Sequence, residues 1–247
     1  MKSNNVLGIQ SYCFRKFRDN NVMLPLLKET GVNAIELCGA HAVFKDASTH
    51  RSVIDICKKH AISIPSIGVE GMSRGAAELK IIFDFLKASG VKHMSVDFQP
   101  DELDACIKQA EKLSEEYGVT LGIHNHGGTH WLGNVQTLRW FFKKCSKRIG
   151  LSLDTGWALD AGENVSKILE EFKDRIYLIH LKDFIFNRQG KQEDVVTGTG
   201  NIDLKAIKKT LDDIGFEGAY IIEYEGQPEN PVPPLIKCVK NIKEILY

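Results

Sequence analysis

A chain of 247 residues suits one large α/β barrel, a fold that commonly runs to about 250 residues, better than two ordinary domains. Its 32 Lys and Arg balance 32 Asp and Glu, with no long block of like charge, which excludes an electrostatic track for nucleic acid and points to a small-molecule partner. No stretch is long and apolar enough to cross a membrane, and the leading MKSNNVLGIQ lacks the charged and then apolar run of a signal peptide, so a cytoplasmic protein is expected. A homo-oligomer is compatible with all of this. The six cysteines, Cys13, Cys38, Cys57, Cys106, Cys145 and Cys238, stand apart without a CxxC pair and read as reduced core thiols.

In chain order, eight short apolar runs predict strands: Val6–Cys13, Asn33–Cys38, Ile62–Gly68, Lys92–Asp97, Val119–His124, Ile149–Asp154, Ile176–Leu181 and Ala219–Tyr224. Between them lie amphipathic stretches such as MLPLLKETG, AAELKIIFDFLKASG, DELDACIKQAEKLSEEYG and LKAIKKTLDDIG. These close on Gly31, Gly90, Gly118 and Gly215, residues suited to a helix C-cap. Strand starts recur at about thirty-residue intervals, with a longer gap before the last, and no linker divides the chain. The expectation is one domain over residues 1–247, a (β/α)8 TIM barrel. An open doubly wound sheet is disfavoured because FRKFRDNN, not a GxGxxG loop, follows the first strand. Two long segments follow strands seven and eight: IFNRQGKQEDVVTGTGNID and EGQPENPVPP. Loops on that side of a barrel build its active face.

An apolar barrel core has no use for polar side chains at the C-terminal ends of its strands, and burying them costs free energy. This sequence places several there: His124-Asn125-His126 after strand five, Asp154 after six, His180-Leu181-Lys182-Asp183 after seven and Glu223-Tyr224-Glu225 after eight. Alternate residues of a strand share a face, so His124, Asp154, His180 and Glu223 would converge if those faces point inward. Each alone has a structural explanation; the joint placement favours a site. Two imidazoles and two carboxylates suit one divalent ion, Mn, Zn, Mg, Fe or Co, with positions left for substrate oxygens. Such an ion can chelate a carbonyl and a neighbouring hydroxyl and stabilise the enediolate left by proton removal, the first step of isomerisation, epimerisation and dehydration alike. Glu223 or His126 is the candidate base, and Lys182 a neutralising or proton-donating partner. Glu36, at the end of strand two, is a candidate for binding a substrate hydroxyl; Glu36 and Lys182 read equally well as outward salt-bridge residues. Gln10, Trp157 and Trp131 complete the candidate substrate-binding set, the tryptophans as faces for a sugar ring or as core packing.

The motifs GIQSYCFR, GVNAIEL, GIHNHGG, LDTGWALDAG, IHLKDF, GTGNID and IIEYEG, spread over most of the chain, resemble the xylose isomerase-like barrel proteins grouped as sugar phosphate isomerases and epimerases. The resemblance implies a divalent metal held from strands five to eight, at His124, Asp154, His180 and Glu223. Many members carry Glu where this chain has His124, so the sequence is similar to a branch with HNH at strand five, and either His124 or His126 is the ligand there. The implied activity is a metal-dependent isomerase or epimerase acting on a small sugar, keto-sugar or sugar phosphate. The alternatives are a lyase or dehydratase on a keto-sugar or keto-inositol, and a non-catalytic sugar-binding barrel. An endonuclease IV-like nuclease is disfavoured: strand three ends in Ser66-Ile67-Gly68 without a His, no DxH pair follows His180, and there is no basic surplus.

Overall fold

The structure is a computed structural model that describes residues 5–73 and 75–247. The start of the leading segment, residues 1–4, lies outside the described residues. Eight strands form one parallel sheet: β1 (Leu7–Gln10), β2 (Ile35–Glu36), β3 (Ile67–Met72), β4 (His93–Phe98), β5 (Thr120–His124), β6 (Ile149–Asp154), β7 (Ile176–Leu181) and, after a hairpin, β10 (Ala219–Ile222). The sheet order is β2-β1-β10-β7-β6-β5-β4-β3, and single parallel bridges, Ala34 to Ser63 and Leu37 to Ile67, bring its two edges together into a barrel. Helices alternate with the strands: α1 (Asn20–Glu29), α2 (Ala47–Lys59), α3 (Ala76–Ser89), α4 (Leu103–Tyr117), α5 (Val135–Phe142), α6 (Thr155–Asp160), α7 (Val165–Glu171), α8 (Leu204–Ile214) and α9 (Val232–Leu246). The expected (β/α)8 barrel is therefore the fold. With helices outside and neighbours on both edges, a barrel strand has no wet face, and all six residues of β6 are buried.

Helix ends follow the sequence. Gly90, Gly118 and Gly215 take the left-handed conformation directly after α3, α4 and α8, and Gly31 does so one residue beyond the C-cap of α1.

Several strand boundaries differ from expectation, the second strand being only Ile35–Glu36. The third apolar run, Ile62–Gly68, yields a strand only from Ile67, because Pro65 has no N–H to donate to a ladder. The first strand stops at Gln10, whose side chain accepts the amide of Tyr12 and caps a 3-10 turn over Ser11–Phe14. The last strand stops at Ile222, leaving Glu223 and Tyr224 beyond its end. The long segment after β7 is an antiparallel hairpin, β8 (Asp183–Phe186) and β9 (Gln192–Val195), and it accounts for the longer gap before β10.

Inside the barrel a polar chain replaces part of the expected apolar filling. His93 Nε2 lies 2.9 Å from Ser152 Oγ, Ser95 Oγ donates to the same hydroxyl at 2.9 Å, and His93 Nδ1 is 3.0 Å from Thr120 Oγ1. Gly122 makes room for it, since a Cβ there would stand 2.2 Å from Ser152 Oγ. The six cysteines are free, and all but Cys145 are buried. Among the described residues no helix is long and apolar enough to cross a membrane.

Candidate metal centre

His124, Asp154, His180 and Glu223 each offer one ligand atom, and the four atoms lie within 4.8 Å of one another. His124 Nε2 is 2.9 Å from His180 Nδ1 and 3.6 Å from both Asp154 Oδ2 and Glu223 Oε2, while His180 Nδ1 is 2.5 Å from Glu223 Oε2. β5, β6 and β7 deliver the first three from their last turns, and β10 delivers Glu223 just past its end.

Asp154 divides its oxygens. Oδ1 accepts the amide of Trp157 at 2.8 Å and caps α6, whereas Oδ2 is buried and has no hydrogen-bond partner among the described residues. Such an orphaned carboxylate oxygen is costly unless a cation answers it, and together with a mixed N/O donor set it fits a divalent ion. Asn125, between the two histidines, clamps the backbone of Asp154: its Oδ1 accepts the Asp154 amide at 2.8 Å and its Nδ2 donates to the Asp154 carbonyl at 2.9 Å. Thr155 Oγ1 accepts the Lys182 amide at 3.0 Å and so ties the ends of β6 and β7 together.

Burial and the charge of Glu223 push the Asp154 carboxyl up to about 7, against the pull of Lys182 and His180. Burial opposes protonation of His180 too, but Glu36 and Glu223 outweigh it and raise that ring to about 10. Glu223 is held well below the carboxylate range: Lys182, His124 and His180 overcome its burial. Burial, with His124 and His130 close by, drives His126 down to about 3 and keeps it neutral.

A cavity of about 360 Å³ opens above the cluster, walled by Gln10, Tyr12, Cys38, His126, Trp157 and Glu225 among others, with His124 and Glu223 on its surface. Gln10, His126 and Trp157 are thus brought to the cluster. Trp131 is not: its Nε1 donates to the Phe98 carbonyl at 2.8 Å, and its ring lines a separate groove of about 750 Å³ with Pro100 and Trp140, which shares no residue with the cluster. Glu36 is likewise absent from the cavity wall. It is fully buried beneath the site, where Oε2 lies 2.9 Å from His180 Nε2, so it forms no outward salt bridge.

Lys182 is also buried, behind the wall. Its ammonium is shared by Glu225, Asp194 (3.4 Å) and Glu223 (3.5 Å). It neutralises carboxylates and does not reach into the cavity. The segment between Phe184 and Asp203, expected to face the cavity, contributes none of its wall; Asp194 supports the site from behind by accepting the Glu225 amide at 3.1 Å. Tyr12 is absent from the sequence reading, which names Asn125 and Glu225 at the strand ends but gives them no role. Parity puts Glu225 on the face of Glu223; Tyr12 and the Asn125 clamp carry no comparable signal.

The chain spans about half the length of the first curated relatives that it matches. One is the inosose dehydratase of Clostridium perfringens, 32% identical over 155 residues, which cover 53% of this chain and 50% of that one. A longer match, to the inosose dehydratase of Yersinia enterocolitica, is 25% identical over 253 residues and covers 92% of this chain and 82% of the relative. Among solved structures, the IOLI protein with a bound zinc atom superposes with a TM-score of 0.73 at 16% identity, covering 98% of each chain. The model of the xylose isomerase-like TIM barrel matches residues 24–242. The chain belongs to the xylose isomerase-like TIM barrel family.

Proposed function

We propose that His124, Asp154, His180 and Glu223 hold one divalent cation and that the chain removes water from a small keto-sugar or keto-polyol. The observation that carries this reading is the convergence of four ligand atoms within 4.8 Å beside a cavity of about 360 Å³ that His124 and Glu223 line, a volume suited to a single sugar or cyclitol ring. The cation would supply Lewis-acid polarisation of a ketone and of the hydroxyl beside it, acidifying the intervening C–H bond.

The chain's own residues do the rest. Trp157 and Tyr12 offer flat faces to a ring, and Gln10 and Glu225 offer polar atoms to its hydroxyls. Glu223 is committed to the cluster and to Lys182, so the proton falls to His126 on the wall, whose basicity, low by burial, would be raised by the negative charge that develops on the substrate beside it. His126 takes the proton from the carbon beside the ketone. As the C=C bond forms, the C–O bond to the next hydroxyl breaks, and the hydroxyl takes that proton and leaves as water. Returning the proton to the neighbouring carbon, or to the opposite face of the same one, would give the isomerase or epimerase outcome that the sequence alone suggested. The relatives' activity favours dehydration.

The test is to load the protein with Mn2+, Zn2+ or Co2+, supply keto-inositols, ketoses and 3-keto-glycosides, and follow the products by NMR in D2O. Metal-dependent appearance of an unsaturated product supports the reading. An epimer with deuterium at one carbon shifts it to epimerase. Equal turnover after chelation sinks it.

A further inference from the structure

We infer that Glu36 is a positioning residue, which fixes the ring of His180 so that Nδ1 is the nitrogen presented to the cation. The inference rests on the cation reading above. It starts from where Glu36 stands: at the end of β2, three places from β7 in the order β2-β1-β10-β7, so its side chain meets His180 through the barrel interior and not as a strand neighbour. Both side chains are fully buried, and Glu36 Oε2 lies 2.9 Å from His180 Nε2.

An imidazole that ligates a cation is neutral and has one N–H. Given to a buried carboxylate through Nε2, that proton leaves the lone pair on Nδ1, the atom 2.9 Å from His124 Nε2 and 2.5 Å from Glu223 Oε2. The carboxylate also makes the ring more electron-rich and prevents its rotation, as outer partners of ligating histidines generally do. His124 has no such hold: its Nδ1 finds no partner among the described residues. The fixed nitrogen at the centre is therefore that of His180.

A purely structural ion pair would affect stability alone, which makes binding the decisive measurement. Cation affinity is measured by titration calorimetry with Mn2+ and Zn2+ on the intact chain and on Glu36→Gln and Glu36→Ala. The visible spectrum of the Co2+ form reports ligand geometry. Glu36→Gln keeps shape and an acceptor oxygen, so the fold survives and affinity falls by about tenfold; Glu36→Ala loses about a hundredfold, and both shift the Co2+ bands. Wild-type affinity and spectrum in both variants, even with a lowered melting temperature, would overturn the inference and leave the cation reading standing. An unsubstituted protein that binds no cation overturns both.

Discussion

Replacing Asp154 by Asn or by Ala separates its two duties. Oδ1 caps α6 through the Trp157 amide, and Oδ2 faces the cluster without a partner. Asn retains a cap oxygen, whereas Ala loses it, a change worth about 1 kcal/mol of stability. Neither leaves a charge opposite Glu223, the chief charged neighbour raising the Asp154 carboxyl, so the Asn variant without metal is at least as stable as the parent. With cation at a hundred times the parent's Kd, binding adds about 2.7 kcal/mol to the parent. A variant that binds about a hundredfold more weakly gains only about 0.4 kcal/mol at the same concentration. Urea unfolding with chelator and then with Mn2+ reads both numbers. An Asn variant that gains as much from Mn2+ as the parent would remove Asp154 from the ligand set. An Ala variant no less stable than Asn under chelation would remove the capping argument.

Three further outcomes are expected. Burial holds His93 at about 4, below the unfolded value of about 6.5, so its neutral ring contributes fully above pH 6.5 and that contribution is lost as pH falls through 4. The cost between pH 7 and pH 5 is about 2 kcal/mol, and urea titrations of His93→Gln should show that part of the slope gone. Gly122→Ala drives a methyl to within 2.2 Å of Ser152 Oγ and 2.9 Å of His93 Cε1; it should cost about 1–3 kcal/mol, and an unchanged urea midpoint would show that the barrel interior has slack. Lys182→Met strips Glu223, Glu225 and Asp194 of their ammonium, so the metal-free protein should lose about 3–5 kcal/mol while calorimetry shows tighter cation binding. Weaker binding would mean that Lys182 serves to orient Glu223.

The sequence made the barrel legible because each βα unit repeats the same local chemistry: an apolar run, an amphipathic stretch, a terminal glycine. It also made the four cluster residues legible, because four ligand-type side chains each end one of four consecutive strands. What stayed hidden depends on contacts between distant parts of the chain. Glu36 carries the same local signature as a substrate-binding acid, and only the closed barrel shows that His180 intercepts it. Lys182 has the parity of an inward residue, but the hairpin that places Asp194 behind it read as a long loop of the active face. Trp131 follows a barrel strand as a stacking residue would, yet its indole N–H is taken by the Phe98 carbonyl, which turns the ring into another groove.

The charge gathered at the barrel mouth constrains what the site can hold. Glu36, Asp154, Asp194, Glu223 and Glu225 bring five carboxyl groups to one ammonium, that of Lys182. A buried carboxylate costs several kcal/mol unless a counter-charge repays it. Lys182 lies within ion-pair distance of three of the five, and His180 answers Glu36. That leaves Asp154, whose Oδ2 is unpartnered, while Glu223, one of the three that share a single ammonium, points its Oε2 at two imidazole nitrogens. One ammonium cannot balance three carboxylates and leaves Asp154 unanswered, so a divalent ion held by Asp154 and Glu223 would supply the missing charge, with His124 and His180 each offering one ring nitrogen. The barrel can carry this imbalance without the ion because its stability comes from elsewhere, from the buried strands and the apolar faces of the surrounding helices. The surplus of buried negative charge thus gathers beside the cavity that His124 and Glu223 line, where a cation would relieve it.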